Sequence, residues 1–314
     1  MITVIKPEKF GCKFSVSTLE TTSETTFYLC ELIDINYDGQ SGFNLSAHEQ
    51  DDNVNHLKVS KSKIIELPNL IFRKYKRMKI FQGSNVQLKT LTALSFNGAA
   101  KLEKVALENN KLESIPNYVF IHLKLLKVLD LSNNKIKTIS DNAFKSLHNL
   151  KTLSLANNNL MTINGTAFEH LISLKWLHLN SNKISSLNSE SFSNKNKKLF
   201  GVFLENNEIK KISRFSFDFL KSLRYLTLSG NDCINRDFKE NVIAENVSIK
   251  YELNECFKAY KNDTPPECSS DCRENELNRL INIVERAENC TNQVANYTSS
   301  LLFFNNLIEN EKKT

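Results

Sequence analysis

An eleven-residue pattern returns along this chain at a nearly fixed interval, and that interval leaves few folds open. Leu126, Leu129, Leu131, Asn134 and Ile136 come back as Leu150, Leu153, Leu155, Asn158 and Leu160, then as Leu174, Leu177, Leu179, Asn182 and Ile184. First positions fall at Val54, Met78, Leu102, Leu126, Leu150, Leu174, Leu199 and Leu223, so every step is 24 residues except one of 25. The extra residue belongs to the stretch 194–198. A unit this short has no room to bury its own apolar face, so successive units must stack and both ends of the stack must be closed.

The pattern is LxxLxLxxNxL, the leucine-rich-repeat signature, and it covers residues 54 to 232. Its Leu-x-Leu centre suits a short strand with alternate side chains turned inward. The Asn at position nine (Asn110, Asn134, Asn158, Asn182, Asn207, Asn231) is placed to bond backbone groups where the chain leaves that strand. The first two repeats depart, with Ser62 and Val86 at that position. Position nineteen is Phe seven times running, from Phe72 to Phe217, which predicts an aromatic spine behind the strands. The expected fold class is an α/β solenoid, a leucine-rich-repeat horseshoe with disulfide caps and a C-terminal helical or coiled-coil segment. Its parts are an N-terminal cysteine cap (1–53), about eight repeats (54–232), a C-terminal cysteine cap (233–267) and a heptad helix (268–314).

Cysteines stand where caps are needed. Cys12 and Cys30 precede the repeats, Cys233 follows them at once, and Cys256 lies beyond. No CxxC pair or His cluster offers a zinc site, so capping disulfides in an oxidising compartment are the expected chemistry, and the chain is read as secreted. The start of the chain lacks the apolar core of a secretory leader, so a secreted chain implies a leader outside this sequence. The longest apolar runs are too short to cross a bilayer. Sequons headed by Asn44, Asn164, Asn246, Asn289 and Asn296 are glycosylation candidates, although their number is what composition alone produces.

After residue 266 the grammar changes. Leu280, Ala287, Val294, Leu301 and Ile308 recur every seven residues, and Ile283, Cys290, Tyr297 and Phe304 hold the position three later, an a/d seam. It is either a chain-to-chain coiled coil or a helix folded back on the repeats. With Cys12, Cys30, Cys233 and Cys256 paired, Cys268, Cys272 and Cys290 form an odd set, which suits a bond to a second chain or one free thiol.

Outward strand positions form the concave face. Trp176, His178, Phe203 and Tyr225 fall on three consecutive strands and are the candidate partner-binding residues, with Gly201 between them expected to leave a gap for a ligand group. No catalytic motif or phosphate-cradling glycine loop is present, so no enzyme and no cofactor is expected. The 41 Lys and Arg and 35 Asp and Glu, net +6, are interleaved along the chain, which argues against nucleic acid as the main partner.

With repeats from Val54 to Cys233, the run Asn231 to Ile234 that ends them, and the seam from Leu280 to Ile308, the chain resembles the secreted leucine-rich-repeat immune proteins of mosquitoes and related insects. That resemblance implies a disulfide-linked pair in haemolymph that holds a complement-like protein, with Cys268, Cys272 or Cys290 linking the chains and the helix helping to carry the partner. The rival expectation is a matrix or receptor-ectodomain recognition module that binds through the concave face. A cytosolic scaffold with reduced thiols is a third.

Overall fold

The computed structural model describes residues 9–10, 13–19, 25–39, 44–45, 53–238 and 253–258. The chain divides into two compact units, Met1–Thr264 and Pro265–Thr314, and every described residue lies in the first. The heptad seam and Cys268, Cys272 and Cys290 lie outside the described residues, as do Asn246, Asn289 and Asn296.

Each repeat contributes one short strand. Lys104–Ala106, Val128–Asp130, Thr152–Ser154, Trp176–His178, Gly201–Phe203 and Tyr225–Thr227 follow one another in the sheet. They pair in parallel and in phase, so that Val128 faces Thr152 and Thr152 faces Trp176. The reason is burial. Leu129, Leu153 and Leu177, the middle residues of three of these strands, have no exposed surface, and their flanking residues are half-exposed. Each such leucine contributes about 2–3 kcal/mol relative to exposure. A slip by one residue would turn them all to water. The fold is a leucine-rich-repeat solenoid.

A buried asparagine column joins the coils. Asn134 Nδ2 donates to the carbonyls of Leu131 in its own coil and Leu107 in the coil before, both at 3.0 Å, and its Oδ1 accepts from the Leu112 N–H at 3.1 Å. Asn158 repeats this with Leu155, Leu131 and Ile136, and Asn182 with Leu179, Leu155 and Leu160. Asn207 and Asn231 do the same. Where Ser62 replaces Asn, its hydroxyl accepts from Ile35 N–H and donates to the Ser60 carbonyl.

The residue just before position nine always turns left-handed, whether or not asparagine follows it. Lys61, Asn85, Asn109, Asn133, Asn157, Ser181, Asn206 and Gly230 all have positive φ, between 47° and 69°. Asn tolerates that region better than most residues, because its short polar side chain can bond locally, which explains its frequency in this column. Asp34, with φ 58°, holds the same place one coil earlier. The parallel sheet accordingly begins before Val54. Thr25–Ile33 pairs in parallel with His56–Ser60, setting Cys30 against Leu57 and Leu32 against Val59. Lys13–Leu19 then closes that edge in antiparallel fashion. Cys30 is buried and disulfide-bonded, and Cys12 lies outside the described residues.

Behind the sheet the coils carry turns, short strands such as Ser114–Ile115 beside Thr138–Ile139, and two brief helical turns, Leu70–Lys74 and Gly165–Phe168. The phenylalanine spine stacks from Phe72 to Phe168 with ring centroids 5.3–6.0 Å apart. It resumes at Phe192 and Phe217, 5.9 Å apart. The break coincides with the 25-residue coil. There Asn196, fully buried, takes the place that Leu171 and Leu220 hold in neighbouring coils. It is satisfied by the Phe168 carbonyl at 2.9 Å and the Ser193 N–H at 3.1 Å. At the far end, Asp237–Phe238 pairs antiparallel with Tyr225–Thr227 and a disulfide joins Cys233 to Cys256, on the short helix Asn254–Lys258.

Replacing Asn158 by Ala leaves the buried Ile136 N–H without its partner and takes one of two asparagine bonds from each of the Leu131 and Leu155 carbonyls, and is expected to cost about 1–3 kcal/mol, read as a lower midpoint in urea. Asn157→Gly, at a left-handed position where glycine is unstrained, should stay within about 0.5 kcal/mol of wild type.

Candidate functional site

The concave face has two chemically different halves. Near the N-terminal end polar groups satisfy one another. His56 Nε2 lies 2.8 Å from Gln82 Oε1, and Glu31 meets Lys58 at 2.9 Å and the Ser60 hydroxyl at 2.7 Å. Those bonds to Lys58 and Ser60 hold the Glu31 carboxyl below its ordinary value.

The other half is aromatic. In-phase pairing sets Trp176, Gly201 and Tyr225 side by side, and likewise His178, Phe203 and Thr227. The Trp176 ring stacks on Phe203 at 6.1 Å and lies 5.8 Å from Tyr225. His178 also stacks on Phe203, its facing residue, at 4.4 Å and 3°. Phe200 completes the group, 5.2 Å from Trp176 and 5.4 Å from Tyr225. Phe200 was not among the expected residues. The sequence did carry a signal, because its column otherwise reads Asn55, Lys79, Glu103, Lys127, Lys151, Lys175 and Arg224, all polar. All five rings are half-buried, packed on one another while keeping a face to solvent.

The gap expected at Gly201 is already filled. A Cβ on Gly201 would lie 2.5 Å from Cε3 and 2.6 Å from Cζ3 of Trp176, so the indole itself rests on the glycine backbone. Glycine here lets the tryptophan lie flat and bridge to Tyr225; it leaves no slot for a ligand group.

Burial pushes the His178 imidazole below its ordinary value, against the opposing pull of Glu205 and Asp130. Glu205 is itself engaged by the Thr227 hydroxyl, and Asp130 accepts from Ser132 N–H and Oγ at 2.9 and 2.6 Å. His178 therefore acts at neutral pH as an uncharged flat ring. Its facing residues are Ser154, which carries a hydroxyl, and Phe203. Among the described residues no cluster of His, Cys, Asp and Glu is arranged to hold a metal ion, and no helix is long and apolar enough to cross a membrane.

Of the glycosylation candidates, Asn164 is exposed. It caps the turn Gly165–Phe168, its Oδ1 accepting from Thr166 N–H at 3.1 Å and its Nδ2 donating to Asp141 at 2.6 Å. Asn44 lies in the strand Asn44–Leu45.

Comparison with known proteins agrees with this architecture. Residues 82–232 match the leucine-rich-repeat family in five overlapping blocks. Among solved structures, the TLR13–ssRNA13 complex shares 30% identity over 57% of this chain and 25% of its own, with a TM-score of 0.54. The leucine-rich-repeat protein LIC12759 of Leptospira interrogans shares 28% over 57% of this chain and 44% of its own, with a TM-score of 0.51. The mosquito LRIM1/APL1C complex aligns over 72% of this chain and 39% of its own at 20% identity and a TM-score of 0.59, a likeness of fold. The chain thus spans between a quarter and less than half of these three. A search of curated proteins with the sequence finds no match.

Gly201→Ala is expected to lift the indole off the sheet. The chain has one tryptophan, so its emission should shift to the red, with a stability loss of about 1–3 kcal/mol from overpacking. For His178 the sign follows from its lowered folded-state value. The unfolded chain takes up the proton first, so this contribution to stability is intact above pH ~6.5 and is lost as pH falls from there toward the folded value. His178→Phe should flatten the slope of stability against pH below ~6.5, leaving the part due to His56, which burial also lowers.

Proposed function

We propose that the chain is a secreted, non-catalytic recognition module that holds a protein partner against the aromatic half of its concave face. The observation that carries this reading is the ring cluster of Trp176, Phe200, Phe203 and Tyr225, with His178 beside it. Large, pre-stacked, half-exposed aromatics lose little freedom on contact and are the usual anchors of protein interfaces. The Cys233–Cys256 disulfide and the bonded Cys30 favour an oxidising compartment.

In this reading the C-terminal seam, Leu280 to Ile308, pairs with a second leucine-rich-repeat chain, and one of Cys268, Cys272 and Cys290 fixes the pair covalently. The mosquito LRIM1/APL1C complex supplies the precedent of two such chains assembled. An innate-immune setting, with capture of a complement-like protein, extends this reading along the family resemblance carried by the repeats and the seam.

The test uses the full chain secreted from insect cells. Wild type should migrate at twice the chain mass on a non-reducing gel and at 36.0 kDa after reduction. As bait in the fluid it is secreted into, it should retain a partner that the Trp176→Ala/Phe203→Ala variant loses by about tenfold or more. Equal retention by a folded variant removes the concave patch from the account, and an unchanged monomer on both gels removes the linked pair.

A further inference from the structure

The repeat sorts charge in space. The segments that lead into successive strands are 76–79, 100–103, 124–127, 148–151, 172–175, 195–200 and 221–224. Together they hold thirteen Lys or Arg and one acid, Glu103. This edge carries +12 although the whole chain carries +6, so the remainder is net negative. Twelve of the thirteen cations are exposed and the other, Arg224, is half-exposed. Glu103 is held between Lys79 and Lys127, at 3.9 and 2.5 Å. Among the described residues no other cation of this edge has an acidic partner. Past Glu103 the lead-in segments hold no anion, and Lys195, Lys197 and Lys198 in the 25-residue coil thicken the edge.

The edge is continuous because its backbone is. The N–H groups of Lys127, Lys151, Lys175, Phe200 and Arg224 each donate to the preceding member of the column at 2.8 Å. With about 4.8 Å between strands, the six steps from Lys79 to Arg224 span about 29 Å along the sheet, with Glu103 and Phe200 the two members that carry no positive charge.

We propose that this edge is a binding rim for a linear sulfated polysaccharide. Eleven of its thirteen cations are lysines, compact point charges without the planar fork that suits paired phosphate oxygens, so they read charge spacing and little else. Single-stranded nucleic acid needs aromatic platforms along its track. Phe200 is the one Phe, Tyr or Trp in these segments, and its ring is engaged by Trp176 and Tyr225. A membrane needs a broad apolar face beside the charge, and here Leu125 and Ile172, 49% and 45% exposed, stand two coils apart. A flexible chain bearing sulfates at short intervals and no bases meets this row of exposed lysines on equal terms. The rim lies beside the aromatic patch and does not depend on it.

Heparin is the probe, bound to the full chain at increasing salt. Wild type should bind, with log affinity falling linearly against log salt as counterions are released. The variant carrying Lys151→Ser, Lys175→Ser, Lys197→Ser and Lys198→Ser should lose about tenfold or more and show a shallower slope. A control carrying Lys63→Ser, Lys89→Ser, Lys135→Ser and Lys183→Ser removes the same charge from the opposite edge and should bind like wild type. Trp176→Ala should also bind heparin normally, which separates this rim from the partner-binding patch. Circular dichroism establishes that each variant is folded. No heparin binding by wild type, or equal loss in both quadruple variants, overturns the proposal. So does tighter binding to poly(U) RNA, or to phosphatidylserine vesicles, than to heparin at the same salt.

Discussion

Everything in this molecule rests on how the chain leaves each strand. At that point a tight turn brings polar backbone inside, where water has no access, and unpaired groups there cost about 1–3 kcal/mol each. From Asn110 onward one asparagine per coil resolves the problem by bonding its own coil and the one before, so a local turn also becomes the joint between neighbours. The left-handed residue just ahead of it aims the chain correctly, and glycine, asparagine and a few others fill that place. Leucine burial supplies most of the stabilising free energy, yet leucines alone would tolerate other registers. The asparagine column accepts one.

The solenoid was legible because its period is carried by many residues at once. The strand centres, the asparagine column and most of the phenylalanine spine stand where the repeat puts them. What the sequence concealed has physical reasons. The coil led by Thr25–Ile33 has Ile35 where most later coils have Asn, so it escapes the pattern, although Asp34 turns as Lys61 does. Gly201 reads as an empty place until the size of its neighbour is considered, and an indole one strand away is large enough to cover it. The spine is interrupted between Phe168 and Phe192, one step ahead of the inserted residue, and Asn196 enters a leucine column just after it. A linear tally of charge showed mixing, because cations and anions alternate along the chain and separate only once each coil returns to the same edge.

Rigid stacking gives this scaffold its functional character. Side chains on the open face need no conformational search to lie side by side, since their spacing is set by strand pairing. The polar N-terminal half spends its groups on internal bonds such as His56 with Gln82. The aromatic half, by contrast, is satisfied by stacking and keeps surface to offer. An uncharged His178 belongs with that second group, lengthening the flat platform without adding charge to it.

The central claim is that one asparagine per coil ties each backbone to the next, and native-state hydrogen exchange addresses it most directly. The amides of Leu112, Ile136, Leu160, Ile184 and Ile209 each donate to the asparagine of the following coil. They should exchange together with the strand amides, by the same cooperative opening and with the same dependence on denaturant. Exchange of those five amides as fast as in an unfolded peptide, while the strand amides stay protected, would contradict the account.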